Sequence, residues 1–518
     1  MSFINPVLSG SYPDPSLCRV GNDYYLVTSS FQYFPGVPIF HSQDLVHWKQ
    51  IGHCLTRPSQ LNFKKYKNEN YIFAATLRYD KGIFYMTTTD AYGGGNFFVT
   101  ARNPAGPWSD PIWIDSELFD PSLFFDEDKT VYYTRRGKTG IVQAEIDINR
   151  GKLKTKPREI THGFCSPDIE GPHLYKIGGW YYLLSAEGGS RYGHMATIGR
   201  SKSPWGPFQG APHNPILTHR HLTSSPIRDT GHGEIIQAPE GSWWMFFLGT
   251  RHYTYNNFSH LGRETFLAPL IWRDDGWPVV GQSGTISLVM QGMGSSIINE
   301  QKIKDHDDFN SKELALHWNF IRIPEKGSRR LTEHPGSLRL WGNEVSLDDL
   351  DAPVFVGRRQ TQFDTCTQTL LDFSPKGSGE EAGLAVYMNH LHHYEIGIKK
   401  GEEKRVIFVR RRLGDLCSVV AEEEIPAGPV WLQITSEAMR YTFSYKTSKT
   451  SSYKTLQSAL TRYLSAEVAE SWTGVYLGMY ATGNGKKSST PADFDWFAYK
   501  EESLLPPSIL SDKDNCVF

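Results

Sequence analysis

One short strand pattern recurs five times in the first half of the chain: DYYLVTSS (23–30), GIFYMTTT (82–89), TVYYTRRG (130–137), GWYYLLSA (179–186) and GSWWMFFL (241–248). Each copy is aromatic and β-branched and sits beside Gly, Asp or Lys turn residues, as a strand entered from a tight turn should. Aligned on Tyr25, Tyr85, Tyr133, Tyr182 and Trp244, the copies stand 60, 48, 49 and 62 residues apart. That spacing is the length of one four-stranded blade with its loops, so the pattern predicts a five-bladed β-propeller. Five blades end near residue 300. Helical periodicity is nearly absent here, which argues against a barrel of alternating strands and helices.

After DHDDFNSKELALHWNF (305–320) the pattern changes. Short alternating strands follow at 337–342, 381–389, 393–400, 404–412, 431–437, 440–446, 473–481 and 493–500. Period-two alternation broken by Gly, Pro and charged turns predicts an antiparallel β-sandwich. The chain is thus expected to be all-β with two domains, a five-bladed propeller over 1–304 and a sandwich over 305–518.

With 54 Lys and Arg against 56 Asp and Glu, and no long run of one sign, the chain lacks the electrostatic signature of a nucleic-acid binder. A neutral partner fits better. Cys18, Cys54, Cys165, Cys366, Cys417 and Cys516 form no CxxC pair and no zinc spacing, and read as reduced thiols. The N-terminus MSFINPVLSGSYPDPS has no basic and apolar leader pattern, and no stretch of about 18 apolar residues occurs. A cytoplasmic location with no membrane partner is the expectation. Aromatic residues make up 13% of the chain, which suits a protein that stacks on the apolar faces of sugar rings and equally suits large β cores.

In a propeller the innermost strand of each blade lines the axis and precedes the next strand by roughly a strand and a turn. Counting back from the anchors, Asp14 lies 11 residues before Tyr25, Asp120 lies 13 before Tyr133, Glu170 lies 12 before Tyr182 and His232 lies 12 before Trp244. In the second blade the same offset falls on Ala74. The local sequences are YPDPS, FDPS, IEGPH and GHGE, whose Pro and Gly hold a strand entrance so that the side chain projects at the channel mouth. A single Asp-Pro is often only a turn. Convergence on one axis is what points to chemistry.

No GxSxG elbow, P-loop or dinucleotide fingerprint is present, so three carboxylates imply acid-base hydrolysis. Glycosidic cleavage needs one carboxylic acid to protonate the leaving oxygen and one carboxylate to activate water or attack carbon. A third carboxylate near the acid keeps it protonated by like-charge repulsion.

At these residues the chain resembles glycoside hydrolase family 43, in its two-domain β-xylosidase and α-L-arabinofuranosidase branch. The matching stretches are NPVLSGSYPDPSLCRVGNDYYLV, SFQYFPGVPIFHSQDLVHW, IEGPHLYK and LLSAEGGSRYGHMATIGRS. The resemblance implies a concanavalin-like jelly roll as the second domain, with Asp14 as general base, Asp120 tuning the acid and orienting substrate, and Glu170 as general acid. It places His232 at the propeller centre, where the family often holds calcium through water; a core histidine bonded to backbone is the other reading. Arg263 in LGRET resembles an arginine that contacts substrate hydroxyls and the catalytic carboxylates, with a surface salt bridge as its alternative. Where relatives commonly read WAPHLRY this chain has FAATLRY, so Phe73 replaces a Trp platform and Thr76 a His. Phe31 and Phe34 remain as candidate pocket walls, and a pocket closed on one side gives exo action.

The resulting expectation is an inverting exo-glycosidase releasing terminal β-D-xylosyl or α-L-arabinofuranosyl residues from small oligosaccharides, without an organic cofactor. A non-catalytic sugar-binding propeller and a fructosidase are the competing readings, and a homo-oligomer stays open.

Overall fold

The computed structural model describes residues 2–61, 63, 71–253, 258–291 and 306–501. Its chain divides into two compact units, one of residues 1–252 and 263–301, the other of residues 253–262 and 302–518. The expected cut at 304 falls within 292–305, and Cys516 within 502–518, both outside the described residues.

The first unit is a five-bladed propeller of antiparallel sheets, each running outward in chain order. The innermost strands are Ser16–Val20, Thr76–Asp80, Ser122–Phe125, Ile169–Ile177 and Ile227–Gln237. All five repeat anchors lie on the second strands, Asp23–Val27, Ile83–Asp90, Val131–Arg136, Trp180–Glu187 and Trp243–Arg251. The innermost strands of successive blades touch, and Ile227–Gln237 touches Ser16–Val20 to close the ring. Ser2–Ile4 pairs with Val289–Gln291. The Asn5 side chain adds hydrogen bonds of 2.9 Å to the carbonyl and N–H of Leu267. Between blades the anchor aromatics pack on neighbouring strands; Tyr85, Phe98, Leu123, Val131, Tyr133 and Ile146 form one such buried cluster.

The axis itself is held by charge. Glu234, buried on the fifth innermost strand, ion-pairs with Arg78 at 2.7 Å. It also accepts hydrogen bonds from the Tyr175 hydroxyl at 3.1 Å, the Leu17 N–H at 3.2 Å and the Ser16 hydroxyl. Arg78 donates in turn to the Leu123 carbonyl at 3.1 Å and lies 2.9 Å from Nδ1 of His173. All five blades therefore meet in one network. Burial raises the Glu234 carboxyl, but Arg78 and the Ser16 hydroxyl more than offset this and hold it below its ordinary value. Burial drives His173 down to about 4, so the ring is neutral and can accept from Arg78.

The second unit is a sandwich of two antiparallel sheets. One has the order Val354–Arg359, Tyr476–Thr482, Glu381–Asn389, His392–Lys400, Arg405–Leu413, Leu416–Ile425. The other centres on Ala492–Glu501, Thr365–Asp372, Val430–Glu437 and Arg440–Lys446. Tyr394 of the first sheet meets Tyr441 and Phe443 of the second at 6.3 and 6.1 Å between ring centres. Alternation is visible in Thr365–Asp372, whose Thr365, Thr367, Thr369 and Leu371 are buried while their neighbours are not.

Breaking a buried ion pair by removing one partner costs about 3–5 kcal/mol, because the other charge stays buried. Arg78→Met should therefore destabilise the propeller's unfolding transition by that amount in urea, and Arg78→Met with Glu234→Gln by less. A loss under about 1 kcal/mol for Arg78→Met would mean the pair is not what holds the axis.

Candidate active site

Asp14 and Asp120 each stand two residues before an innermost strand, and both take left-handed backbone angles, with φ of 56° and 58°. Asp tolerates that region better than most residues, and it turns the side chain out of the strand's alternation toward the mouth. His232, with φ of 41°, lies inside the fifth innermost strand where its pairing shifts register. Glu170 is the second residue of Ile169–Ile177, just before another register shift, and Gly171 after it has φ of 57°. Glycine is required there: a Cβ on Gly171 would come within 2.8 Å of His232 Nε2.

The four groups converge. One ligand atom each of Asp120, Glu170 and His232 lie within 4.8 Å of one another. Asp14 Oδ1 joins them at 3.6 Å from His232 Nδ1 and accepts from Arg263 Nη1 at 3.2 Å, while Ser29 donates to Oδ2 at 2.5 Å. Gly171 N–H donates to Asp120 Oδ2 at 2.9 Å, and the Ser190 hydroxyl to Glu170 Oε1 at 3.3 Å. Arg263 is buried beside Asp14, with its guanidinium carbon 5.6 Å from the Phe31 ring centre, so it is not a surface salt bridge. Phe31, Phe73 and Phe119 form an aromatic arc, with ring centres 6.2 and 5.8 Å apart in turn, that ends beside Asp120. Phe34 is buried.

The aspartates have opposite fates. Burial raises both, and for Asp14 it is outweighed by Arg263, His232 and the Ser29 hydroxyl, which hold the carboxyl below its ordinary range. Asp120 has no arginine beside it among the described contacts: burial pushes it up to about 7, His232 opposes the rise, the charges of Glu170 and Asp14 add to it, and the Gly171 N–H opposes it. The sequence expects the acid Glu170 to be the group raised by a neighbour. In the structure it is the Asp120 carboxyl, the more deeply buried one, that is pushed up, with the neighbouring charge of Glu170 among the causes.

Ser29, Gly171 and Ser190 support these carboxyls without being singled out by the sequence, although Gly171 and Ser190 lie in stretches that carry the family resemblance. His194 is a further neighbour: burial drives it down to about 4, and the neutral ring lies 2.8 Å through Nδ1 from the Asp229 carbonyl.

Residues 3–278 match the profile of glycosyl hydrolases family 43, and residues 306–500 that of the β-xylosidase C-terminal concanavalin A-like domain. The chain belongs to glycosyl hydrolases family 43. It is accordingly a glycosidase, hydrolysing O-glycosyl bonds. This family 43 enzyme is 43% identical over 96% of its length, and 95% of the relative's, to a non-reducing end α-L-arabinofuranosidase of Bacteroides ovatus. It is 37% identical to a xylosidase/arabinosidase of Butyrivibrio fibrisolvens over 96% of its own chain and 99% of that one. A solved Bacteroides ovatus structure, xyloglucan PUL GH43B, superimposes with a TM-score of 0.93 at 42% identity, covering 96% of this chain and 100% of that one.

Asp120→Asn removes both a like charge and a proton carrier from the pair. The remaining carboxyl then loses its proton more easily, so the basic limb of the activity profile should move down by about a pH unit or more. An unchanged basic limb in kcat/KM against pH would show that this pair does not set it.

Proposed function

We propose that this exo-acting glycoside hydrolase releases terminal β-D-xylosyl or α-L-arabinofuranosyl residues from xylo-oligosaccharides or arabinoxylan and arabinan fragments, with inversion of configuration. Asp14 is the general base, Glu170 the general acid, and Asp120 the group that tunes the acid's pKa and orients the sugar. The observation that carries the reading is the convergence of three carboxyls at one mouth, with Arg263 and Ser29 on Asp14 and Asp120 set beside Glu170 through the Gly171 N–H. The relatives' names, arabinofuranosidase and xylosidase/arabinosidase, support the sugar class.

In this mechanism the Asp14 carboxylate takes a proton from water as the water's oxygen attacks the anomeric carbon. Arg263 and Ser29 keep that carboxylate charged and oriented. Glu170 gives its proton to the glycosidic oxygen, so the leaving sugar departs as a neutral alcohol. The Asp120 carboxyl beside Glu170 supplies the like charge that favours the protonated form of the acid. Phe31, Phe73 and Phe119 supply apolar ring faces on which a sugar stacks, and Arg263 lies within reach of its hydroxyls.

A calcium ion at the propeller centre belongs to the same reading, supported by the convergence of Asp120, Glu170 and His232. Calcium takes six to eight oxygen ligands, and two carboxylates with one imidazole offer too few. An ion bound directly by both carboxylates would also keep the acid ionised. Asp120, Glu170 and His232 would therefore hold calcium only through water. When bound, the ion supplies positive charge beside the carboxyls.

Proton NMR of the first product released from paired 4-nitrophenyl β-D-xyloside and α-L-arabinofuranoside should show the inverted anomer. Retained product at early times would make Asp14 a nucleophile, and hydrolysis of neither glycoside would remove the sugar assignment. Calcium added to chelator-treated protein should raise the thermal midpoint of the wild type but not of His232→Asn. No calcium-dependent shift in the wild type would remove the ion.

A further inference from the structure

Glu170 has a single side-chain hydrogen bond among the described contacts, the 3.3 Å approach of Ser190, and its strand is irregular between Glu170 and His173. Its position must therefore come largely from what holds the backbone just before it. That backbone is gripped by Arg136, the last residue of Val131–Arg136 on the neighbouring blade. Arg136 Nη1 donates to the carbonyl of Ile169 at 2.6 Å, and Nη2 to Asp168 Oδ1 at 3.2 Å. At its other end the Arg136 N–H donates to the Phe119 carbonyl at 3.0 Å, and its guanidinium carbon lies 5.6 Å from the centre of the Phe119 ring. Ile169 immediately precedes Glu170, and Phe119 immediately precedes Asp120. One residue thus ties together, through its main chain and its side chain, the residues directly upstream of both carboxyls, across two blades.

The plain alternative is a rim salt bridge to Asp168. That partner is 65% exposed whereas Arg136 is 19% exposed, so solvent screens the pair and it contributes little. The bond to the Ile169 carbonyl is charge-assisted and shielded, the stronger of the two contacts.

We infer that Arg136 is a positioning residue that sets Glu170 against Asp120, an inference that rests on Glu170 being the general acid. Such a residue affects the acid step selectively, because a carboxyl displaced by about an ångström can lose about 100-fold in rate while binding is little changed. Substrates with good leaving groups need little proton donation and escape most of that loss.

The test compares a disaccharide, xylobiose, with the 2,4-dinitrophenyl glycoside of the same sugar, using the full-length enzyme. Glu170→Gln serves as the reference and should lose far more activity on xylobiose than on the activated glycoside. Arg136→Met should show the same bias more weakly: a fall in kcat of about 10- to 100-fold on xylobiose, under about 3-fold on the activated substrate, and a KM within about 2-fold on both. Arg136→Lys, which keeps the charge but not the fork, should recover part of the xylobiose rate, and Asp168→Asn should stay within about 2-fold of wild type. Equal losses on both substrates for folded Arg136→Met, or no loss on either, would overturn the inference while a biased Glu170→Gln left the acid assignment standing. An unbiased Glu170→Gln would overturn the acid assignment, and this inference with it.

Discussion

A ring of five radial sheets has to be closed at its centre, where the strands converge and little room is left for large apolar side chains. Here a buried carboxylate performs the closure. Glu234 collects Arg78 from the second blade, Ser16 and the Leu17 N–H from the first and Tyr175 from the fourth, while Arg78 reaches Leu123 of the third. The catalytic candidates sit a few residues along the same strands. Asp14 precedes Ser16 by two residues, His232 precedes Glu234 by two, and Glu170 and Asp120 precede His173 and Leu123 by three each. Whatever keeps Glu234 satisfied thus keeps the strand ends in register, and the side chains at the mouth inherit that register.

The same architecture explains why similar aspartates behave differently. Asp14 and Asp120 share a Pro after the acid, a left-handed backbone and near-complete burial. They differ in what the neighbouring blade presents. The fifth blade brings Arg263 to Asp14, and the fourth brings Glu170 and a Gly171 N–H to Asp120. In a low-dielectric centre a cation at 3.2 Å and a like charge within 4.8 Å act with opposite sign on groups that burial alone would treat alike.

Much of this is legible in the sequence because a propeller converts linear spacing into angular position. The aromatic anchors mark one strand in each blade, and a step back of 11 to 13 residues from them reaches the axis at Asp14, Asp120, Glu170 and His232. What the spacing does not carry is partnership. Arg78 and Glu234 look like ordinary strand charges, Ser29 like part of a polar run, and Arg136 like the end of a repeat copy; each acquires its role from a residue far away in the chain. In the sandwich, Val354–Arg359 is missed by sequence alternation because it is buried throughout, and Thr365–Asp372, whose burial does alternate, because its buried face is mostly threonine. Leu416–Ile425 escapes because most of its residues are exposed or half-exposed.

The backbone at the mouth adds a last constraint. Asp14, Phe31, Asp120 and His232 all have positive φ, which for a bulky ring such as Phe31 is a marked departure from preferred geometry. Residues held this way cost about 1–3 kcal/mol each, a sizeable fraction of the about 5–15 kcal/mol that keeps a domain folded. They persist only where the surroundings determine them fully. The aspartates lower that cost by side-chain type, Gly171 removes the Cβ that would strike His232, and the ion pair below holds the strands from which these turns spring. Strain at the mouth and charge at the axis are therefore linked: a propeller closed by a weaker interaction could relax these turns into ordinary strand entrances, and the carboxyls would then return to the alternating faces of their sheets instead of meeting in the channel.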